Sequence, residues 1–186
     1  MNRLPHLPRM PNSLRKSASV SKPSLARREG GLSLDNQLCF TLYATSLAMT
    51  KVYRPLLSRL GLTYPQYIVM LALWEAPELS VGALGEKVAL DSGTLAPLLR
   101  KLTATGWVER RRSPVDDRSV LISLTPSGRQ LSRHAHAVRE QIACATQCTD
   151  AQIRQLMTDL KRLRAALQSS ARVPSPPPRP ISSTRK

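Results

Sequence analysis

Apolar residues recur with a helical period through most of the middle of this chain. Over residues 34–52, LDNQLCFTLYATSLAMTKV, they fall at Leu34, Leu38, Leu42 and Met49, with Phe40, Tyr43 and Leu47 widening the stripe. That spacing predicts an amphipathic helix. Pro55 lacks a backbone N–H and predicts a break, with PLLSRLG forming a short helix stopped by Gly61. Thr63 is placed to cap a helix through YPQYIVMLALWEA, with Pro65 in its first turn. This segment is apolar nearly all round, as a central core helix must be.

The pattern then shortens. Ser80 precedes VGALGEKVAL, a short amphipathic helix whose capping box is weak because position 83 is Ala rather than Glu. Asp91-Ser92 opens a second helix, GTLAPLLRKLTATG, ended by Gly106. Trp107-Val108 and Val120–Leu124 are β-prone, and SPVDD between them has turn chemistry, which predicts a two-stranded hairpin. Helix, turn, helix and hairpin make a winged helix. Two long helices follow, over about 126–146 and from Thr149-Asp150 onward. The last carries Ile153, Leu156, Met157, Leu160, Leu163 and Leu167 on one stripe. Long apolar-striped terminal helices pair with a second copy of themselves, which predicts a two-fold homodimer. The expected fold is mainly α with a small β-hairpin: a winged helix-turn-helix, its DNA-binding part at about 63–125, with terminal helices forming a dimerisation region.

Composition changes this picture at the ends. Residues 1–33 and 171–186 are rich in Pro, Ser and basic side chains and lack a hydrophobic period. They cannot offset the entropy of ordering, so both read as disordered tails around a folded part at 34–170. Of the net charge of +16, the tails carry +6 and +4, leaving +6 for the folded part. Basic tails of this kind suit sequence-independent affinity for DNA, or serve only as solvated extensions. The Arg/Ser-rich N-terminus has no apolar core of a secretory signal; it superficially fits a transit peptide, or an upstream extension with Met10 as another start. No apolar run reaches the length of a membrane span. Cys39, Cys144 and Cys148 are odd in number and lack framework spacing, which points to thiols in a reducing, cytoplasmic compartment. No zinc signature is present, His134 and His136 do not face one another, and no cofactor is expected.

The second helix of the pair is expected to enter the major groove by its N-terminus, with Ser92, Gly93 and Thr94 at the base edges. Gly93 allows close backbone approach, and the two hydroxyls can donate or accept. Arg100 and Lys101 suit phosphate or guanine contact. Pro97 is tolerated without cost only if it falls near the first turn. The wing concentrates Arg110, Arg111, Arg112 and Arg118. Arg118 is positioned to enter a minor groove, with Asp116 and Asp117 orienting its guanidinium. Each of these residues also has a plainer role, as a helix cap or a solvated turn.

The stretch VGALGEKVALDSGTLAPLLRKLTATGWVERRRSPVDDRSVLISLTPSGR resembles the core of the multiple-antibiotic-resistance regulator (MarR) family, including its D-x-R wing pattern at Asp116-Asp117-Arg118. LDNQLCFTLYATSLAMTKVYRPLLSRLGLTYPQYIVMLALWE upstream resembles the organic hydroperoxide resistance regulator subfamily, and the likeness spans about 34–165. That resemblance implies a repressor that binds a palindromic operator as a dimer and releases it when an organic hydroperoxide oxidises Cys39. It implies that Tyr53 and Tyr64 hydrogen-bond the sulfur across the dimer. It also implies that Cys144, in the sequence ACATQC, resolves the oxidised thiol; Cys148 has no position in the pattern. Tyr43, one helical turn from Cys39, is a third candidate neighbour. Independently of the likeness, Cys39 stands near a helix N-terminus, where the dipole favours a thiolate, the reactive species. Two other readings are a repressor sensing a phenolic ligand in a dimer cleft and a thiol peroxidase; a DNA-reading wing is hard to explain in the latter.

Overall fold

The computed structural model describes residues 33–116 and 118–171. Of the predicted tails only Ser33 and Ala171, the last residue of the C-terminal helix, are described; the rest, Met10 included, and Asp117 lie outside the described residues. The chain divides at Tyr43/Ala44 into two units, each described by itself. The first holds a 3-10 turn, Leu34–Asn36, and the opening turns of α1 (Leu38–Ser58). Regular α-helix therefore begins at Leu38 rather than at Leu34.

The second unit continues α1 and adds α2 (Tyr64–Glu75), β1 (Glu78–Ser80), α3 (Val81–Val88), α4 (Ser92–Ala104), β2 (Val108–Arg112), β3 (Val120–Leu124), α5 (Pro126–Ala145) and α6 (Asp150–Ala171). Two expectations are corrected here. Pro55 does not break the chain: α1 runs through it to Ser58. Proline at 55 removes a single N–H, the one that would reach the carbonyl of Lys51. Leu57, two residues on, is fully buried, and its burial stabilises the continued helix by about 1.5–3 kcal/mol. The stop comes instead at Gly61, whose φ of +67° lets the Leu62 N–H turn back to the Leu57 carbonyl at 3.0 Å.

The second correction concerns the hairpin. The sheet has three strands in the order β1-β3-β2, all antiparallel. β1 pairs Glu78 with Ser123 and Ser80 with Leu121, and β2 pairs Val108 with Leu124 and Arg112 with Val120. A three-residue strand is too short to display alternation. It is stabilised by its partner rather than by its own pattern.

The core forms around α2. Tyr67, Val69, Met70 and Leu73 are buried against Leu57, Leu84, Leu95, Leu99, Leu102 and Ile122. The Thr63 N–H donates to Gln66 Oε1 at 2.8 Å, which satisfies a buried amide and caps α2. Ser80 Oγ accepts the Ala83 N–H at 3.1 Å, so Ser80 caps α3 although no capping box is present. Asp91 caps α4: its Oδ1 accepts the Thr94 N–H at 2.9 Å and its Oδ2 accepts the Thr94 hydroxyl at 2.8 Å. These bonds hold the Asp91 carboxyl below its ordinary value of 3.8, the backbone bond having the largest effect.

α5 begins under tight constraint. Thr125 Oγ1 donates to the Gly106 carbonyl at 2.6 Å and accepts the Gly128 N–H at 3.0 Å. A Cβ at position 128 would lie 2.0 Å from the Trp107 carbonyl oxygen, so only glycine lets α5 approach the start of β2. The outer helices contrast with this packing. α6 has no buried residue, and α1 buries Leu57 alone. Among the described residues no helix is long and apolar enough to cross a membrane.

Two outcomes are expected. Gly128→Ala forces backbone against backbone and should destabilise the protein by about 3 kcal/mol, read from urea unfolding at fixed protein concentration. Asp91→Ala should lower the unfolding midpoint at neutral pH. Because the folded carboxyl ionises below its ordinary range, the stability it confers is complete above that range and is lost as pH falls through the folded value. The gap between parent and variant should therefore close on acidification from about pH 5 towards pH 2, and a gap independent of pH would refute the capping role.

Candidate DNA interface and thiol site

α3 and α4 form the helix-turn-helix, joined through Ala89, whose φ of +56° reverses the chain. Leu95, Leu99 and Leu102 turn one face of α4 into the core. The opposite face presents Ser92, Gly93, Thr94, Arg100 and Lys101 to solvent. Gly93 and Arg100 are two turns apart on that face, as are Thr94 and Lys101, so each cation lies in line with an N-terminal position. The Thr94 hydroxyl hydrogen is committed to Asp91, which leaves its oxygen free only to accept. Pro97 is half-buried in the second turn, beyond the first turn where it would be costless. The carbonyl of Gly93 consequently lacks its helical N–H partner and stands at the exposed end of the helix.

The wing is built differently from expectation. Asp116 does not pair with the Arg118 guanidinium. Its Oδ1 accepts the Arg118 backbone N–H at 3.0 Å and its Oδ2 accepts the Ser119 hydroxyl at 2.6 Å. Both bonds hold its carboxyl below the ordinary range, the Ser119 bond more strongly. A short side chain two residues back reaches the backbone more readily than a mobile guanidinium. Ser113 completes the turn: its N–H donates to the Ser119 carbonyl, and its hydroxyl accepts the N–H groups of Val115 and Asp116. Arg118 is thus exposed on an ordered turn. Arg111 is also reassigned: it pairs with Glu78, bracing β2 to β1 across β3. Arg110 and Arg112 remain exposed and join Arg118 as the outward cations of the wing.

The thiol residues fall in both units. Cys39, the second residue of α1, and Tyr43, one turn later, lie before the division, and both are exposed. Tyr53, Tyr64 and Cys144 lie after it. Tyr53 and Tyr64 are brought together, their ring centroids 4.9 Å apart. Burial raises the Tyr53 hydroxyl to about 12, with smaller contributions from Tyr67 and Tyr64. Cys144 is exposed in the last turn of α5, and Cys148 follows the αL residue Gln147. All three cysteines are free thiols.

Sequence reasoning missed Tyr67. It is buried, and its ring stands 5.7 Å from Tyr53 and 6.1 Å from Trp74. The available signal was its position three residues after Tyr64, on the same helical face. It also lines an open groove of about 480 Å³ between α2 and α5, together with Leu71, Trp74, His136 and Arg139. No group of three His, Cys, Asp or Glu side chains able to hold a metal occurs among the described residues.

Known proteins resemble this arrangement closely. Residues 51–134 match the family described as transcriptional regulator SarA/Rot. The chain is 46% identical over 136 residues to the organic hydroperoxide resistance transcriptional regulator of Bacillus subtilis (strain 168), covering 73% of this chain and 88% of that protein. It is 40% identical over 172 residues to the HTH-type transcriptional regulator TtmR of Methylorubrum extorquens (strain PA1), covering 90% and 88%. Among solved structures it is similar to reduced AbfR bound to DNA, at 34% identity and a TM-score of 0.60 over 72% of this chain and 94% of that one. AbfR, of Staphylococcus epidermidis, is also known overoxidized on DNA and with a disulfide formed. These relatives are transcriptional regulators, not enzymes. An exposed helix-turn-helix, a cation-bearing wing and this degree of identity place the chain in the MarR family of winged-helix transcriptional regulators, among those akin to the organic hydroperoxide resistance regulators.

Proposed function

We propose that this chain is a homodimeric repressor that holds a palindromic operator while Cys39 is reduced and releases it when an organic hydroperoxide oxidises that thiol. The observations that carry the reading are an exposed thiol at position 39, at the start of α1, and, in the second unit, a close pair of half-buried tyrosines, Tyr53 and Tyr64. The 46% identity to a hydroperoxide resistance regulator supports it. So does the occurrence of AbfR in reduced, overoxidized and disulfide-bonded forms, which shows that a relative of this chain has a redox-active thiol. The reducing cytoplasm is the compartment in which such a thiol rests unoxidised.

The chemistry is balanced. The Cys39 thiolate attacks the distal peroxide oxygen, the O–O bond breaks, and the alkoxide takes a proton to leave as an alcohol. The sulfenic acid left on Cys39 then condenses with the Cys144 thiol, forming an S–S bond and expelling water. Tyr53 and Tyr64 donate to the Cys39 sulfur and favour its anion. Leu38 and Phe40 beside the thiol favour an organic over an inorganic peroxide.

Dimerisation follows from surface the monomer leaves uncovered. Leu47 and Val52 on α1 and Leu156, Met157, Leu160 and Leu167 on α6 are exposed, and pairing two copies buries them. The dimer sets the two α4 helices against half-sites about one turn of DNA apart. Ser92, Gly93 and Thr94 meet base edges, Arg100 and Lys101 meet the backbone, and Arg118 enters the minor groove. The basic tails add sequence-independent attraction.

Replacing Cys39 with Ser should leave operator binding intact and abolish its loss on peroxide treatment, as read by mobility shift; release from the variant would overturn the mechanism. Arg118→Ala should weaken operator binding about tenfold, chiefly by relaxing preference at the bases beneath the wing. Lys101→Ala should weaken all sequences alike and reduce the slope of log K against log salt by about one.

A further inference from the structure

We propose that Trp74 is a positioning residue that couples the tyrosine pair to the root of the wing; this rests on the peroxide-sensing reading above. The path is continuous in space. Tyr64 meets Tyr53 in a tilted contact at 4.9 Å, Tyr53 meets Tyr67 likewise at 5.7 Å, and Tyr67 meets Trp74 edge-on at 6.1 Å. Trp74 Nε1–H then donates to the Gly128 carbonyl at 2.9 Å, a bond spanning 54 residues of sequence. Gly128 lies in the first turn of α5 and presses on the Trp107 carbonyl, immediately before β2. Thr125 ties the same point to Gly106 and Trp107.

Each link is stiff in one direction and free in another. Tyr67 is buried, so it cannot relax into solvent when Tyr53 shifts. Packed interiors transmit such a shift rather than absorb it. Trp74, by contrast, borders the open groove of about 480 Å³, which gives its ring room to swing. Swinging withdraws the indole N–H from Gly128 and unloads the junction that sets the wing's angle to α5. When oxidation takes the Cys39 sulfur from Tyr53 and Tyr64, the tyrosines lose a partner and repack. Trp74 carries that repacking to the wing. Asp116 and Ser113 order the wing internally, so it tilts as a unit about its root.

The test uses full-length protein, cumene hydroperoxide and a duplex selected from a random pool by the reduced parent. Trp74→Phe keeps an aromatic ring and removes the N–H. The reduced variant should bind the duplex within about threefold of the parent, and its Cys39 should lose its thiol at the parent's rate. On oxidation the parent should lose about tenfold or more in affinity, and the variant about threefold or less. Equal loss in both overturns the proposal. The parent supplies a second readout, because its two tryptophans, Trp74 and Trp107, sit at the two ends of the junction. Oxidation should shift their emission, and Cys39→Ser should abolish that shift. Unchanged emission on oxidation, or a shift that persists without Cys39, overturns the coupling even if Trp74→Phe folds poorly. Release of DNA from oxidised Cys39→Ser would instead refute the sensing reading itself, so the two failures are distinguishable.

Discussion

The structure turns on the close approach of Gly128 to the Trp107 carbonyl. That contact brings the start of α5 against the start of β2, and no side chain at position 128 permits it. Thr125 and Trp74 supply its hydrogen bonds, one local in space and one reaching back to α2. A hinge point held by backbone contact has little slack. Small changes on α2 therefore reach the wing as changes of angle rather than being lost in loose packing.

Electrostatics at the reading head follow a division of labour. The carboxylates Asp91, Asp116 and Glu78 are all engaged within the protein, capping a helix, ordering a turn and bracing two strands. Each satisfies backbone or side-chain donors, which hold the first two in their ionised form. The cations Arg100, Lys101, Arg110, Arg112 and Arg118 remain outward. Committed to internal donors, the carboxylates shape the surface that the cations present.

The fold also leaves an unfinished surface. Among the described residues nothing covers the apolar stripes of α6 and of much of α1. The helical period there was plain in the sequence, and it persists in the structure as exposed Leu156, Leu160 and Leu167. Such faces belong to an assembly larger than one chain. In the proposed dimer α1 carries both the Cys39 thiol and part of the contact surface between the two copies.

Local signals determined most of the secondary structure. The caps at Thr63, Ser80 and Asp91 and the stops at Gly61 and Gly106 were all legible, because each acts over a single turn. The helix-turn-helix and the hairpin follow from them, as do the exposed cations of α4. Other features depend on partners distant in sequence. β1 exists because β3 offers it an edge, and Arg111 is withdrawn from the wing because Glu78 stands across that sheet. Pro55 is carried inside a helix because the core holds Leu57. Asp116, by contrast, turned from its charged neighbour to the backbone two residues on, a local Asx-turn spacing that the sequence carries. Tyr67 and Trp74 looked like ordinary core residues until packing set them in line with Tyr53. Hydrophobic period and capping are local and survive in the sequence; pairing across a sheet, ring-to-ring contact and close backbone approach are created only when the chain closes on itself.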